Sequence, residues 1–471
     1  MPIKIALPKG RLLKKTALLL QKADWGLDEY HSRISFYHPK SQRFPHLIIK
    51  VFQEKDIPVQ VAIGNYDMGI CGQDWVQELL AKYPSSSLVK IKDLDYGHIS
   101  LYAAASISRD ISLSKIKAKN TIVRIASEYP NLAETFALQN RLRRFSIFPV
   151  WGAAEGYPPE NAELALISAQ TIAEIGLTGL SPVSKVMESG ATLVANRNSW
   201  ENKDLGEIIS SICDEVSIAE LPASGSVETY PEQHPQYPPA EITKDTVRIA
   251  LPDGHQQQPT LELLNRAGIP IEDYPSSNGN RRPRIGLEGI SVKVIRPQDM
   301  PLQVTNGNFD LAITGKDWLW EHHNQFPSSP VRDIADLKYG QVKIVAVVSQ
   351  ELPVNDTVGL RQYCATRSSP LRIASEYTHI ADKYARDNHL GYYRIVPTWG
   401  ATEAFLPEDA DVLIENTQTG STIARHNLRI IDTLFKSAAC LIGSTRTIAS
   451  QIKKDRSEAI AAMLRDAAEE T

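Results

Sequence analysis

An internal duplication constrains the fold of this chain more than any other feature of its sequence. Five motifs occur in the same order in both halves of the 471 residues. In the first half they are "KIALPKG" at Lys4, "DMGICGQDW" at Asp67, "DLDYGHI" at Asp93, "RIASEY" at Arg124 and "WGAAE" at Trp151. In the second half they are "RIALPDG" at Arg248, "DLAITGKDW" at Asp310, "DLKYGQV" at Asp336, "RIASEY" at Arg372 and "WGATE" at Trp399. The repeat predicts two copies of one unit of about 220 residues.

A linker is expected between the copies. The stretch from Leu221 to Asp245, "LPASGSVETYPEQHPQYPPAEITKD", is rich in Pro, Ser and Glu and poor in aliphatic residues. We therefore expect a first core at 1–220, a linker at 221–246 and a second core at 247–471. A chain of 471 residues is too long for a single hydrophobic core, which agrees with this division.

Strands and helices are predicted to alternate within each copy. In the first copy "IKIAL" and "YDMGICG" have the pattern of buried strands, and "RLLKKTALLLQKA" has the pattern of an amphipathic helix. Alternation of this kind predicts an α/β fold with doubly wound parallel sheets, whose ligands lie beyond the carboxyl ends of the strands. Because about 220 residues is generous for one sheet layer, we expect two lobes and a cleft in each copy.

Composition and charge exclude several classes of function. A net charge of −4 gives no sign of a nucleic-acid or membrane partner, and no apolar run approaches the length of a membrane span. The N-terminus lacks the apolar segment of a signal peptide, and four scattered cysteines suit a reducing cytoplasm. Adjacent His322 and His323 cannot share a helix face and are expected in a solvated loop, so no metal site is predicted.

The stretch "ENTQTGST", from Glu415 to Thr422, is the candidate phosphate site. It follows the apolar strand "DVLIE" and precedes a predicted helix. Backbone N–H groups, the hydroxyls of Thr and Ser, and a glycine that permits close approach can cradle a phosphate. The carboxylate of Glu415 could accept hydrogen bonds from sugar hydroxyls. The loop alone fits a plain capped helix start equally well.

The matching stretch of the first copy, "ISAQTIAEIGL" from Ile167, has lost this chemistry. Ile172, Ala173 and Glu174 stand where the second copy has Gly, Ser and Thr. A β-branched side chain blocks close backbone approach, and a carboxylate repels phosphate. The first copy is therefore predicted not to bind a phosphate at this loop.

A basic turn is present only in the first copy. Lys9, Gly10 and Arg11 open its first helix, where the helix dipole disfavours cations, so a nearby anion is expected; an exposed basic helix start is the alternative. The same turn of the second copy has Asp253 and His255, which argues against an anion site there.

Two further arginines are unequally distributed. Arg296 in "IRPQDMP" has Gln53 as its counterpart in the first copy. Arg33 in "HSRISF" has no clear counterpart in the second copy. Each arginine alone is typical of a protein surface. Taken together, however, each copy keeps basic or loop residues that the other copy has lost, so the two copies are complementary.

These residues resemble the ATP phosphoribosyltransferase family, whose members open histidine biosynthesis. "KIALPKGRL" in the first copy resembles the family's N-terminal signature, and "VIRPQDMP", "DLAITGKDW" and "RIASEY" resemble its motifs in the second. The most specific match is the phosphoribosyl-diphosphate loop, an acidic residue followed by x-x-x-T-G-x-T. The resemblance covers both copies.

The resemblance implies a fold, a reaction and a set of site residues. The fold would be two tandem copies of a two-lobed, periplasmic-binding-protein-like (type II) α/β core. The reaction would join adenine N1 of ATP to the anomeric carbon of phosphoribosyl diphosphate and release pyrophosphate, with Mg²⁺ expected on the diphosphate. Catalytic roles would go to Arg33 and Arg296, and substrate binding to Lys9, Gly10, Arg11, Gly315, Lys316, Asp317, Glu403, Glu415, Gln418, Thr419, Gly420, Ser421 and Thr422.

The departures from the family pattern lead to further expectations. About 25 residues follow "LIGS" at Leu441, too few for the histidine-binding domain of the family's long form. Short forms need a separate partner resembling histidyl-tRNA synthetase, and family dimers are symmetric, so the resemblance is compatible with such a partner and with a homo-oligomer. Since the first copy keeps the basic turn and the second keeps the phosphate loop, we expect one site, in the second copy's cleft, to which both copies contribute residues. The alternatives are a non-catalytic nucleotide-binding or regulatory protein and a phosphoribosyltransferase for another acceptor.

Overall fold

The computed structural model describes residues 2–28, 30–31, 37–109, 111–216, 242–277, 279–400, 402–446 and 450–469. Most of the expected linker, residues 221–241, lies outside the described residues. So does Arg33, and so does the side chain of Thr422.

The first copy forms two lobes. The first lobe contains β1 (Lys4–Lys9), α1 (Leu13–Lys22), β2 (Ile48–Gln53), α2 (Ile57–Ala62), β3 (Met68–Gly72), α3 (Gln73–Lys82) and β4 (Leu88–Asp93). The second contains β5 (Ile99–Ser106), α4 (Leu113–Ala118), β6 (Val123–Ser127), α5 (Pro130–Gln139), β7 (Phe145–Pro149), β8 (Leu164–Ala169), α6 (Ile172–Leu177) and β9 (Leu180–Ser189). The chain then returns to the first lobe through β10 (Ala191–Asn196), α7 (Arg197–Asn202) and α8 (Gly206–Val216).

The second copy repeats this order. Its first lobe contains β11 (Val247–Pro252), α9 (Gln257–Arg266), β12 (Ile271–Glu272), β13 (Arg284–Ile285), β14 (Ile290–Ile295), α10 (Met300–Thr305), β15 (Leu311–Gly315), α11 (Lys316–Gln325) and β16 (Val331–Asp336). The second contains β17 (Val342–Ser349), α12 (Thr357–Ala365), β18 (Leu371–Ser375), α13 (Thr378–Asp387), β19 (Tyr393–Pro397), β20 (Val412–Thr417), α14 (Ser421–Arg425) and β21 (Leu428–Ser437). Strand β22 (Ala439–Ser444) and helix α15 (Gln451–Glu469) return to the first lobe. Short 3-10 turns include Pro297–Asp299 and Ala154–Gly156.

Each lobe is built on a five-stranded mixed sheet. The orders are β2-β1-β3-β10-β4 and β7-β6-β8-β5-β9 in the first copy, and β14-β11-β15-β22-β16 and β19-β18-β20-β17-β21 in the second. One strand of each sheet, β10, β5, β22 or β17, is antiparallel to both neighbours. The parallel arrangement predicted from the sequence therefore holds for four strands of each sheet, and the fifth runs in the opposite direction. Strands β10 and β22 are antiparallel because the chain re-enters the first lobe directly after β9 or β21, without a crossover helix.

Each lobe has its own hydrophobic core. In helix α1 the buried residues are Leu13, Thr16, Leu19 and Leu20, which form the face predicted from their spacing. Helix α15 contributes Ile460 and Leu464 to the core of the second copy's first lobe. Two tandem copies of a two-lobed periplasmic-binding-protein-like α/β core, as expected from the sequence, are confirmed. None of the described helices combines the length and apolar character needed to cross a bilayer.

The compact units of the structure differ from the two copies at two short segments. Unit 1 consists of residues 1–149, 162–236 and 399–404. Unit 2 consists of residues 150–161, 237–398 and 405–471. The segment 150–161 of the first copy therefore belongs to unit 2, and the segment 399–404 of the second copy belongs to unit 1. We call these two the exchanged segments.

Candidate functional site

The candidate cleft lies in unit 2, where polar residues follow the carboxyl ends of its strands. Asp253 follows β11, Arg296 follows β14, and Asp317 lies just after β15. The Tyr377 hydroxyl donates to Asp317 Oδ2 at 2.7 Å and accepts from Asn416 Nδ2 at 3.0 Å. This chain of hydrogen bonds connects the first lobe to β20, the strand that leads into the candidate phosphate loop. Ligands of α/β proteins bind at such strand ends.

The candidate phosphate loop of unit 2 is exposed and open. Gly420 has φ +76°, a conformation that L side chains rarely adopt, and a Cβ added there would meet only Ile430 Cδ1 at 4.0 Å. The Gly420 N–H donates to Thr417 Oγ1 at 2.9 Å, and the Ser421 N–H donates to Thr419 Oγ1 at 3.3 Å. These partners are neutral hydroxyls at the surface, so the oxygen atoms of a phosphate can replace them.

The matching loop of unit 1 is closed by its own carboxylate. Glu174 Oε2 accepts a hydrogen bond from the Gln170 N–H at 2.7 Å, and the Glu174 N–H donates to Thr171 Oγ1 at 3.3 Å. This arrangement resembles a capping box, except that the carboxylate accepts from Gln170, the residue before the N-cap Thr171. A tethered negative charge thus occupies the Gln170 N–H at this loop.

Two equivalent triads of side chains, one in each unit, differ in where their charges lie. In unit 1 Lys9 Nζ lies 3.4 Å from Tyr37 Oη, which donates to Glu403 Oε1 at 3.2 Å. In unit 2 Arg281 contacts Asp253 Oδ2 at 2.6 Å and Glu155 Oε1 at 3.1 Å. Asp253 thus stands where unit 1 has Lys9. The cation of the unit 2 triad is Arg281, which lies between the two carboxylates.

Backbone hydrogen bonds establish that Tyr37 and Arg281 are equivalent. The Val51 N–H donates to the Tyr37 carbonyl at 2.9 Å, and the Val294 N–H donates to the Arg281 carbonyl at the same distance. Val51 and Val294 occupy matching positions in β2 and β14. The rearranged sequence around "NGNRRPR" concealed this correspondence.

The neighbouring arginines stabilise the ionised carboxylate of Asp253 in the unit 2 triad. Burial opposes ionisation of Asp253, but hydrogen bonds from Arg281 and the charges of Arg281 and Arg296 outweigh it and hold the pKa of Asp253 below its usual value. Arg296 Nη1 lies 3.5 Å from Asp253 Oδ2, and the Arg296 side chain is 41% exposed. Its Nε is buried and makes no hydrogen bond with the described residues. The guanidinium of Arg296 is therefore positioned to bind an anion.

The exchanged segment 150–161 contacts Arg296 and its turn within unit 2. The Trp151 N–H donates to the Asp299 carboxylate at 3.2 Å. A Cβ added to Gly152 would lie 3.0 Å from Arg296 Nε, so glycine permits this close approach. Trp151 also lies 5.8 Å from Trp318, centroid to centroid. The first copy thus supplies part of the surroundings of Arg296.

Three predicted residues of the second copy have structural partners. Asp317 Oδ1 accepts from Ser437 Oγ at 2.7 Å, and its other oxygen is bound to Tyr377. A Cβ on Gly315 would lie 2.1 Å from Asp317 Oδ1, which explains the glycine. Lys316 Nζ lies 2.7 Å from Asp336 and 3.4 Å from Asp333.

The basic turn of the first copy lies in unit 1. Arg11 contacts Glu54 Oε2 at 2.8 Å and Asp74 Oδ1 at 3.5 Å, and it donates to the Gly97 carbonyl at 2.7 Å. Lys9, Gly10, Arg11 and Glu403 therefore share unit 1, whereas Arg296, Gly315 to Asp317 and the phosphate loop share unit 2. The predicted residues thus fall into two groups.

His322 and His323 are not in a solvated loop, as the sequence suggested, but in helix α11. His322 is buried, and its Nε2 lies 3.1 Å from Thr305 Oγ1 and 2.8 Å from Ser329 Oγ. Burial and the neighbouring His323 lower the pKa of His322 to about 4. Among the described residues, no three His, Cys, Asp or Glu side chains are grouped so that they could hold a metal ion.

Sequence reasoning missed Arg281, Glu155 and Trp151 as members of this cleft. Glu155 and Trp151 stand in "WGAAE", one of the repeated motifs, so the repeat carried a signal for them. The repeat could not show, however, that residues 150–161 of the first copy would belong to unit 2.

The open loop at Gly420 and the partly exposed Arg296 both follow strand ends of a two-lobed α/β core, which is where ligand-binding α/β proteins hold their ligands. Comparisons with known proteins identify the class more closely. The family model "HisG: ATP phosphoribosyltransferase" matches residues 53–217 and 296–466, more than half of the chain. The chain therefore belongs to the ATP phosphoribosyltransferase family, and it is a phosphoribosyl-transferring enzyme of the first step of histidine biosynthesis.

Individual relatives match one copy's length of the chain. An ATP phosphoribosyltransferase of Chlorobaculum parvum is 30% identical over 230 residues, which cover 48% of this chain and 72% of the relative. One from Desulfatibacillum aliphaticivorans is 31% identical over 229 residues, covering 47% and 73%. Among solved structures, the "ATP phosphoribosyl transferase (HisG:HisZ) complex from Thermotoga maritima" matches with 18% identity and a TM-score of 0.39, over 48% of this chain and 100% of that chain.

Proposed function

We propose that the chain has a single working site, in the cleft of unit 2, where ATP reacts with phosphoribosyl diphosphate. Adenine N1 forms a bond to the anomeric carbon, and the bond from that carbon to the pyrophosphate oxygen breaks. The observation that carries this proposal is the difference between the two loops. The loop at Gly420 is open, whereas its counterpart is capped by Glu174.

The loop from Glu415 to Thr422 would hold the phosphoribosyl group. Backbone N–H groups and hydroxyls bind the 5′-phosphate, and Glu415 is suited to the sugar hydroxyls. Arg296 would bind the departing pyrophosphate, since its guanidinium is partly exposed and its Nε has no hydrogen-bond partner among the described residues. Reactions of this kind depend on alignment of the substrates and on stabilisation of developing charge.

The site would be composite because the first copy contributes to it. The exchanged segment 150–161 places Gly152 against Arg296 and Glu155 against Arg281. The first copy's contribution would therefore come through this segment. A symmetric dimer has two identical sites. When its two subunits are fused into one chain, each copy can diverge separately, so that one site can be lost.

We also propose that Mg²⁺ enters with the diphosphate. Mg²⁺ prefers oxygen ligands and usually keeps substrate phosphates and water in its coordination shell, so it needs few protein ligands. It would neutralise charge on the leaving pyrophosphate. The loop offers N–H groups and hydroxyls, which suit phosphate oxygens, and this fits a metal carried by the substrate.

A regulatory partner resembling histidyl-tRNA synthetase remains part of the proposal. Helix α15 packs into the core of the second copy's first lobe, so this segment is part of the catalytic core. We propose that a separate chain supplies regulation. A purified partner of that type should change the rate and co-elute with this chain; unchanged kinetics and separate elution would count against it.

A steady-state assay tests the proposed reaction. The purified chain, with ATP, phosphoribosyl diphosphate and Mg²⁺, should release pyrophosphate, and omission of Mg²⁺ should stop the release. Release with another nitrogen heterocycle but not with ATP would favour a different acceptor. Binding of both substrates without release would indicate a regulatory protein, a role that the acidic Asp253 in place of Lys9 would favour.

A further inference from the structure

A cavity of about 320 Å³ lies in unit 2, away from the catalytic cleft. Its lining includes Arg248 in β11, the first residues of β14 and the turn at Asn308 that precedes β15. These positions are at the amino ends of the strands, whereas Asp253, Arg296 and Asp317 follow the carboxyl ends. The cavity is therefore a separate site.

Cationic side chains dominate the polar part of the lining. Among the described residues that form it, Arg248, Arg282, Arg284 and Lys293 carry or can carry positive charge, against the single carboxylate of Glu160. Arg248 Nε is buried without a hydrogen bond to the described residues, and it lies 3.6 Å from Asp310 Oδ2, a carboxylate outside the lining. The lining itself carries more cations than carboxylates, a balance that favours an anion.

Glu160 is already engaged. Its carboxylate contacts Lys293 Nζ at 2.7 Å and Arg282 Nη2 at 3.0 Å, and Lys293 also donates to Asn161 Oδ1 at 2.8 Å. Lys293 is only 5% exposed. Burial lowers the pKa of Lys293 to about 7; Glu160 opposes this shift, and Arg282 and Arg248 reinforce it. Within the lining one carboxylate is thus shared by Lys293 and Arg282, and Asp310, outside the lining, lies near Arg248.

The uncharged part of the lining combines the polar Asn161, Ser291 and Asn308 with apolar side chains, which include Ile285, Val292 and Phe309. A volume of about 320 Å³ is much larger than an inorganic phosphate needs and lies in the range of small-molecule sites. We propose that the cavity binds a small organic anion, whose carboxylate or phosphate is held by Arg248 and Arg284 and whose apolar portion contacts these three side chains.

Isothermal titration calorimetry of the full chain at pH 6.5 tests the proposal. The probes are hexanoate, hexyl phosphate, inorganic phosphate and the neutral hexanamide. We expect one of the first two to bind at least tenfold more tightly than inorganic phosphate and hexanamide, because both the charge and the apolar part contribute. The better of the two identifies the anionic group. No binding of either at millimolar concentration would overturn the proposal.

Variants locate the bound probe. Arg284→Gln, at an exposed side chain, should weaken binding about tenfold, and Ser291→Phe should abolish it by filling the cavity. The matched control Arg332→Gln, also exposed in unit 2 but outside the lining, should change nothing. Gly420→Val should also leave binding intact. Loss of binding in Gly420→Val, or full binding in both Arg284→Gln and Ser291→Phe, would place the probe elsewhere and refute the site.

The pH dependence gives an independent readout. The charged groups around Lys293 are Glu160, Arg282 and Arg248, with Asn161 as its neutral partner. An anion favours the protonated amine, so binding at pH 7.5 should take up a fraction of a proton. Calorimetry in two buffers of different ionisation enthalpy measures this uptake. Equal heats in both buffers, together with affinity independent of pH from 6 to 8, would contradict binding beside Lys293.

Discussion

Substitution of Gly152 by alanine should impair catalysis through Arg296, although Gly152 belongs to the other copy. The added Cβ would lie 3.0 Å from Arg296 Nε and 3.6 Å from Nη2, so the guanidinium has to move by a few tenths of an ångström. A guanidinium bound to a phosphate contributes about 1.5–3 kcal/mol. A partial displacement should cost about 1 kcal/mol, or roughly fivefold in kcat/KM.

A matched control separates this effect from backbone strain. Gly152 has φ +156° and its counterpart Gly400 has φ +96°, so alanine is strained at both positions. Gly400 lies in the exchanged segment of unit 1, which lacks the open loop. Gly400→Ala should therefore lose stability in thermal unfolding but keep kcat/KM within about twofold.

A double-mutant cycle completes the test. Arg296→Ala alone should lower kcat/KM by roughly tenfold to a hundredfold, measured by pyrophosphate release. If Gly152→Ala acts by displacing Arg296, the double variant should be no worse than Arg296→Ala. Additive losses, or equal losses from Gly152→Ala and Gly400→Ala, would refute the reasoning.

Three further predictions follow from single sites. Gly420→Val places a β-branched residue at φ +76° and should weaken phosphoribosyl-diphosphate binding roughly tenfold to a hundredfold by calorimetry, whereas Ile172→Val in the closed loop should not. Glu174→Ala removes the cap of the closed loop and should leave turnover unchanged; a lower rate would mean that unit 1 takes part directly. Because the pKa of His322 is lowered to about 4 by burial, the unfolded chain binds a proton below about pH 6.5 that the folded chain does not. The unfolding free energy should therefore fall by about 2 kcal/mol from pH 7 to pH 5, a loss that His322→Gln but not the exposed His255→Gln removes in urea titrations.

Much of the fold could be predicted from the sequence because the signals are local or repeated. The period of apolar residues predicted helix α1, the repeated motifs predicted two copies, and the length of each copy predicted two lobes. The unequal loops could be read directly, since Gly420 and Ile172 differ in the backbone conformations they permit. The antiparallel strands β10 and β22 were missed because their direction depends on where the chain re-enters the first lobe.

The composition of the cleft could not be predicted in the same way. Membership of Glu155 and Glu403 in one unit or the other depends on packing between segments far apart in the chain. Their motifs are nearly identical, so no local signal separates them. The equivalence of Tyr37 and Arg281 appears only in backbone hydrogen bonds, because the sequences around them have diverged.

The binding stoichiometry of phosphoribosyl diphosphate tests the central claim most directly. Titration of the purified chain with this substrate and Mg²⁺ should give one site per chain, because only the loop at Gly420 is open and the loop at Glu174 is capped. Two equivalent sites per chain would contradict a single working site.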